Sequence, residues 1–212
     1  MAYGFLDIAT TPSVKAAQAD NGSLDMWSTA GKNRVFDRFT EGETAFIASR
    51  DSFYMATVSE TGWPYMQHRG GPAGFLKVLD DKTLGFADFR GNRQYISLGN
   101  LQADGRVSLF LMDYPRRARL KIFARAEVKD LAADPDLAER LALLGYKAKV
   151  ERAMLFHLEA FDWNCPQHIT PRFTEAEVAQ AVAPVRARLA ELEAENAALA
   201  ARLAVTKSDG EN

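Results

Sequence analysis

The chain has 212 residues, 47% of them hydrophobic, enough to bury the core of one ordinary domain with an appendage. Its 26 basic and 28 acidic side chains leave a net charge of -2, which argues against a sequence-independent nucleic-acid binder and makes any anion site a local feature. A single cysteine, Cys165, excludes an internal disulfide framework and a multi-cysteine metal set. No apolar run approaches the roughly 18 residues of a membrane span, and the start Met1-Ala2-Tyr3-Gly4 lacks the basic and apolar segments of a signal peptide. The expectation is a cytoplasmic protein that engages neither membrane nor nucleic acid.

Residues 1–40 read as an N-terminal arm, with a turn signal at Asp20-Asn21-Gly22-Ser23 and a short helix over 32–39. Thr40 followed by Glu43 has the spacing of a capping box, so 41–49 is predicted helical, presenting Phe46 and Ile47 to the core. Strands are predicted over 53–58 and 65–69 around a turn at 59–64, over 75–79 and 83–87 around Asp80-Asp81-Lys82, and over 106–112 and 119–128 around Tyr114-Pro115-Arg116-Arg117. Six short strands with few helices between them favour a closed antiparallel barrel over a parallel sheet. Helices are expected over 93–101 and, behind Asp134 as cap and Pro135 at the first position, over 135–145; a brief alternation at 154–160 suits a returning strand.

The tail, 174–206, follows different rules. Val178, Val182, Val185, Leu189, Leu192, Asn196, Leu199 and Leu203 recur at alternating intervals of four and three, with Asn196 at an a position of the heptad, and Thr174 with Glu177 is a second capping box. Three outcomes are open: a parallel coil with a twin, a helix packed on its own domain, or a frayed end, the last encouraged by Pro184 and the alanine-rich flanks.

Chemistry concentrates in the segment Asp88-Phe89-Arg90-Gly91-Asn92-Arg93-Gln94-Tyr95. Guanidinium groups, carboxamides and the free N–H groups of a helix start can together hold a phosphate. Arg69, which ends a strand against Gly70-Gly71, pairs naturally with Arg93 to neutralise a dianion, Asn92 and Gln94 add directional hydrogen bonds, and Arg90 is a further candidate. The competing reading is ordinary solvated loop arginines. His68 falls on the opposite face from Arg69, His157 reads as a satisfied core histidine, and with His168 these are too scattered for a metal motif. In the run 161–173, Trp163, Asn164, Gln167 and His168 are stiffened by Pro166 and Pro171 into a surface suited to a planar ring, or into a rigid plug for the core.

The run Phe53-Tyr54-Met55-Ala56-Thr57-Val58-Ser59-Glu60-Thr61-Gly62-Trp63-Pro64-Tyr65-Met66-Gln67-His68-Arg69-Gly70-Gly71-Pro72, followed by Leu84-Gly85-Phe86-Ala87-Asp88-Phe89-Arg90-Gly91-Asn92-Arg93-Gln94, resembles the FMN-binding split barrel of the pyridoxamine 5'-phosphate oxidase-like family. The resemblance spans roughly residues 40–172 and is nearer to flavin-nucleotide-binding members than to the vitamin B6 oxidase, whose basic substrate-binding ending has only Arg172 as a counterpart. It implies a six-stranded antiparallel split β-barrel over 41–173, mainly β with peripheral helices and the C-terminal helix appended. It also implies a homodimer with FMN at two intersubunit sites.

The implied cofactor-binding residues are Gln67, Arg69, Arg90, Asn92, Arg93, Gln94, Trp163, Asn164 and Gln167, with no metal. The family commonly has serine, arginine and lysine where this chain has Asn92, Arg93 and Gln94, so Arg93 matches by type and its neighbours as hydrogen-bonding positions. Trp163 and Gln167 match the positions that pack by the isoalloxazine. The implied activity is transfer of a hydride or electron pair between a small organic substrate and FMN. The alternatives are a non-catalytic carrier or sensor of flavin or tetrapyrrole, a site for a deazaflavin or nicotinamide, and a cofactor-free dimer.

Overall fold

The alternation Phe53-x-Met55-x-Thr57 sends three side chains to one face of β1 (Ser52–Val58), where all three are buried, while Tyr54, Ala56 and Val58 face the other way. The computed structural model describes residues 4–29, 37–163 and 165–209. Contacts divide the chain into two units, Met1–Ile169 and Thr170–Asn212.

In the first unit β1 pairs antiparallel with β2 (Pro64–Gly70), in the register Tyr54 opposite His68, and with the middle of β5 (Arg106–Asp113). The remaining strands are β3 (Lys77–Asp80), β4 (Thr83–Phe89), β6 (Ala118–Lys129) and β7 (Val150–Trp163), and the spatial order is β2-β1-β5-β6-β7-β4-β3. Every ladder is antiparallel.

This corrects the six-stranded split barrel expected from the sequence. Among the described residues the sheet has seven strands and is open: β2 and β3 end it, and no ladder joins them. The residues that would begin such a closing strand are otherwise used. Phe75 N–H turns back to the Pro72 carbonyl at 3.0 Å, Phe75 and Leu76 plug the core, and β3 is left four residues long with a register shift. The seventh strand, β7, is the returning strand expected over 154–160; it extends beyond that range at both ends, is the longest, and lies between β6 and β4.

Two apolar clusters explain why β7 shows little alternation. Met154 and Phe156 join the main core with Phe53, Phe75, Phe86 and Ile122, whereas Ala153 and Leu155 join a second cluster with Ala87, Leu137 and Leu141. A strand covered on both faces reads as a continuous apolar run. The second cover is α6 (Pro135–Leu141), which starts where Asp134 Oδ1 accepts from Leu137 N–H at 3.0 Å and ends at Leu141, short of the predicted 145.

The N-terminal arm is helical where it is described, with α1 (Phe5–Ala9), α2 (Pro12–Asp20) and α3 (Leu24–Thr29); much of the helix predicted over 32–39 lies outside the described residues. Phe5 stacks on Phe123 of β6 with ring centroids 4.4 Å apart. The Thr40–Glu43 capping box opens α4 (Glu41–Ala48), which buries Ile47 and sets Phe46 edge-on to Trp163. A buried ion pair, Arg50 Nη2 to Asp113 Oδ2 at 2.7 Å, joins the start of β1 to the end of β5.

α5 (Ile96–Ala103) starts three residues later than predicted because Arg93 and Tyr95 adopt left-handed backbone conformations, φ 64° and 54°. A buried hydrogen bond from Asn100 Nδ2 to Thr57 Oγ1, 2.9 Å, fixes α5 to β1. The second unit consists mainly of α7 (Glu175–Asp209), one helix of 35 residues that runs through Pro184.

Candidate functional site

Period-two alternation places Tyr65, Gln67 and Arg69 on one face of β2, each half-buried, while Met66 and His68 are exposed. Those three side chains form one wall of a cleft of about 180 Å³. The end of β4 supplies Asp88, the 91–95 loop supplies Asn92, Arg93 and Gln94, and the start of β7 supplies Glu151 and Arg152.

Asp88 is the electrostatic centre. It is buried, with Arg69 Nη1 at 3.2 Å from one oxygen and Arg152 Nε at 3.8 Å from the other. Burial pushes its carboxyl above the ordinary range, against the pull of Arg69 and Arg152. Glu151 sits beside it, hydrogen-bonded by Arg90 Nε at 2.8 Å, Arg152 Nη2 at 2.8 Å and the Tyr95 hydroxyl at 3.2 Å. The Arg90 bond is the main cause that holds Glu151 below the usual carboxylate range. Arg152 also lies over the Tyr95 ring, 5.1 Å from its centroid.

Two donors are left over. Arg69 Nε is buried without a hydrogen-bond partner among the described residues, although Nη1 of the same side chain is engaged. A buried unsatisfied donor costs about 1–3 kcal/mol, so this atom is an acceptor-seeking point in the cleft wall. Arg93 is exposed, and among the described residues its guanidinium has no ion-pair partner. The three arginines lining the cleft outnumber its two carboxylates, and α5 begins at the cleft without a side-chain cap.

The 91–95 loop is pinned locally. Asn92 Oδ1 accepts from Gln94 N–H at 3.1 Å, and Asn92 Nδ2 donates to Gln94 Oε1 at 3.3 Å. Gly91 has open space around its missing Cβ, so the special backbone geometry resides at Arg93 and Tyr95. Beside Arg69, the missing Cβ of Gly71 makes room for Phe75, whose Cβ and Cγ lie 2.8 Å from its ideal position. That close approach belongs to the core and not to a ligand.

The structure thus brings Gln67, Arg69, Asn92, Arg93 and Gln94 to one cleft, with Arg90 bonded to one of its carboxylates. It does not bring Trp163 there. Trp163 ends β7, donates from Nε1 to Glu43 Oε1 at 2.7 Å and packs on Phe46. Eleven residues at roughly 3.3 Å each separate it from Arg152, about 35 Å along the strand. Gln167 is exposed and does not line the cleft, and Asn164 lies outside the described residues. His157, predicted to be core, is half exposed and bonded to Glu127 at 2.9 Å.

Sequence reading missed Tyr65, whose hydroxyl orients Gln67 at 2.6 Å, and missed Asp88, Tyr95, Glu151 and Arg152 as site residues. The available signal was the charged pair Glu151-Arg152 immediately before a buried run, a placement that a purely packing strand does not need.

No curated protein sequence matches the chain. Among solved structures, HupZ from Group A Streptococcus is similar at 17% identity and a TM-score of 0.45, over 64% of this chain and 99% of that one. A Clostridium acetobutylicum protein described as related to general stress protein 26, of the pyridoxinephosphate oxidase family, is 18% identical with a TM-score of 0.42, over 65% and 94%. An FMN-binding protein from Syntrophomonas wolfei is 14% identical with a TM-score of 0.40, over 72% and 97%. The family model described as pyridoxamine 5'-phosphate oxidase matches residues 39–159, more than half of the chain and nearly the whole sheet, and the chain belongs to the pyridoxamine 5'-phosphate oxidase-like family.

Proposed function

We propose that the cleft between β2, β4 and β7 holds the phosphate end of FMN, and that the protein is an FMN-dependent oxidoreductase acting on a small organic substrate. The observation that carries the reading is the buried, unpartnered Nε of Arg69, set in a cleft that also receives Arg93 and the uncapped start of α5. A phosphate monoester offers acceptor oxygens to all three donors at once. Family membership supports a flavin as its carrier.

Bound FMN supplies hydride or electron-pair exchange. The chain's own residues bind and orient. Arg69 retains its Nη1 bond to Asp88 while Nε is free to donate, Arg93 adds charge, and Gln67 is aimed by Tyr65. Asp88 and Glu151 fix the arginines around them. The cleft, about 180 Å³, is smaller than the roughly 300–1,000 Å³ of ordinary ligand pockets, so it suits the phosphate end alone. On this reading the ring extends beyond it and is covered by a second copy of the chain, whose Trp163 and Gln167 are the candidates at that end.

One observation favours a second reading, a flavin carrier or sensor. Both cleft carboxylates are engaged by arginines, which leaves neither as an uncommitted proton acceptor. The deciding experiment is the absorbance spectrum and mass of any ligand released from gently purified protein, followed by titration with FMN and riboflavin. Stoichiometric FMN with weaker riboflavin supports the phosphate site. A folded protein that takes up no FMN, or prefers a deazaflavin, overturns it. Bound FMN without turnover across reductants and acceptors selects the carrier.

A further inference from the structure

We propose that α7 forms a parallel, in-register two-stranded coiled coil with α7 of a second copy of this chain, paired over Val185–Leu203. This inference concerns the C-terminal unit alone and does not rest on the cofactor reading.

The helix is defined at its start by a formed capping box: Thr174 N–H and Oγ1 donate to Glu177 Oε2 at 2.7 and 2.9 Å, and Glu177 N–H returns to Thr174 Oγ1 at 3.2 Å. Its apolar side chains are exposed in a heptad stripe: Val185 68%, Leu189 55%, Leu192 40%, Leu199 52% and Leu203 64%. With Asn196 at a, this order puts Leu189 and Leu203 at a and Val185, Leu192 and Leu199 at d, an unbroken seam of period 3.5. Pro184 falls at c, off that seam, and the seam begins immediately after it.

Two features commit the occupant to a second copy in parallel. In that arrangement the two Asn196 side chains face each other and can exchange amide hydrogen bonds. An antiparallel pairing sets each against an apolar d residue and leaves a buried amide unsatisfied. The flanking charges agree: Arg188 at g faces Glu193 at e of the other copy, and two-fold symmetry repeats the opposite-charge pair. Arg188 is 59% exposed in the side chain and bonds within its own helix to Glu191 at 2.9 Å, a c position on the outer side of g, so the interchain pair forms by its turning from Glu191 toward the seam.

The test uses the full chain with Cys165→Ser. Val185→Cys and Leu199→Cys are introduced singly at d, and Ala194→Cys at the outward f position. Under mild oxidation, Val185→Cys and Leu199→Cys each give a covalent dimer on a non-reducing gel, while Ala194→Cys stays largely monomeric. Adding Glu193→Arg to Leu199→Cys lowers the yield several-fold, and further adding Arg188→Glu restores it. Absence of linkage at both d positions in helical protein, or equal linkage at Ala194→Cys, overturns the coil. A yield unaffected by Glu193→Arg overturns the proposed charge pairing.

Discussion

Arg69→Lys is expected to weaken FMN binding while leaving riboflavin binding and the fold nearly unchanged. Lysine keeps a positive charge for Asp88, which Arg69 now meets at 3.2 Å, but it has no counterpart to the buried Nε. A charge-assisted hydrogen bond contributes about 1.5–3 kcal/mol, so losing one corresponds to roughly 10–150-fold in Kd. Relief of the unsatisfied Nε adds to the parent's side of the comparison, so the loss should lie away from the low end of that range. The assay is quenching of flavin fluorescence in parallel titrations with FMN and riboflavin, which differ by the phosphate, with circular dichroism to verify folding. Equal weakening of both ligands, or no change in either, would refute the assignment of Arg69 Nε to the phosphate.

Trp163→Phe removes the donor to Glu43 and should lower stability by about 1–3 kcal/mol, measured by urea denaturation, with little effect on FMN phosphate affinity. In the parent, burial raises the Glu43 carboxyl, but bonds from Thr40 and Trp163 outweigh it and hold the group below its ordinary 4.5. A depressed carboxylate contributes stability above that ordinary value, which is lost as pH falls through the folded one. Trp163→Phe should therefore flatten the loss of stability below about pH 4.5 in an acid titration followed by near-ultraviolet dichroism. Asp88→Asn removes the cleft's central negative charge and should tighten inorganic phosphate binding several-fold in calorimetry. It should also lower the melting temperature, because Arg69 and Arg152 lose their shared partner. Arg50→Met removes the closer of the two guanidinium partners of the buried Asp113, leaving Arg116 Nη1 at 3.1 Å, and should cost about 1.5–3 kcal/mol, read by denaturation, with Asp113→Asn in the same chain recovering part of it.

Six strands could be placed from alternation and turn signals to within about two residues, because turn residues bound each of them and a local apolar pattern reports it. β7 was legible only as a brief alternation over 154–160, half its length, for a physical reason. Ala153, Met154, Leu155 and Phe156 are all buried, alternate residues facing two different clusters, so period two vanishes from the hydropathy although it persists in the geometry. Closure into a barrel was inferred from strand count, yet it depends on whether β2 and β3 pair. No local pattern reports that pairing, and between the two strands Phe75 packs close to where a Gly71 Cβ would lie. In the cleft, Gln67 and Arg69 were legible because they share a strand face, and the 92–94 segment because it is cationic and polar. Glu151 and Arg152 arrive from more than 50 residues downstream, through a ladder register that no local pattern encodes.

The length of β7 turns the remaining site residues into a question of assembly. Glu151 and Arg152 open the strand at the cleft, and Trp163 closes it about 35 Å away. Trp163 does not line the cleft that holds Arg69, so on the proposed reading one cofactor meets both groups only if different copies supply them. The Trp163 side chain is moreover held by Glu43 and Phe46, and its removal exposes both. A mixed dimer of Arg69→Met and Trp163→Ala chains separates these roles. If Arg69→Met and Trp163→Ala chains each fail to bind FMN alone, a shared site predicts that one of the two sites in a mixed dimer regains both parent residues. Recovery of half the flavin sites would establish sharing. Full FMN binding by Trp163→Ala chains alone would confine Trp163 to its packing role with α4, and recovery of none in stable mixed dimers of two defective chains would refute sharing.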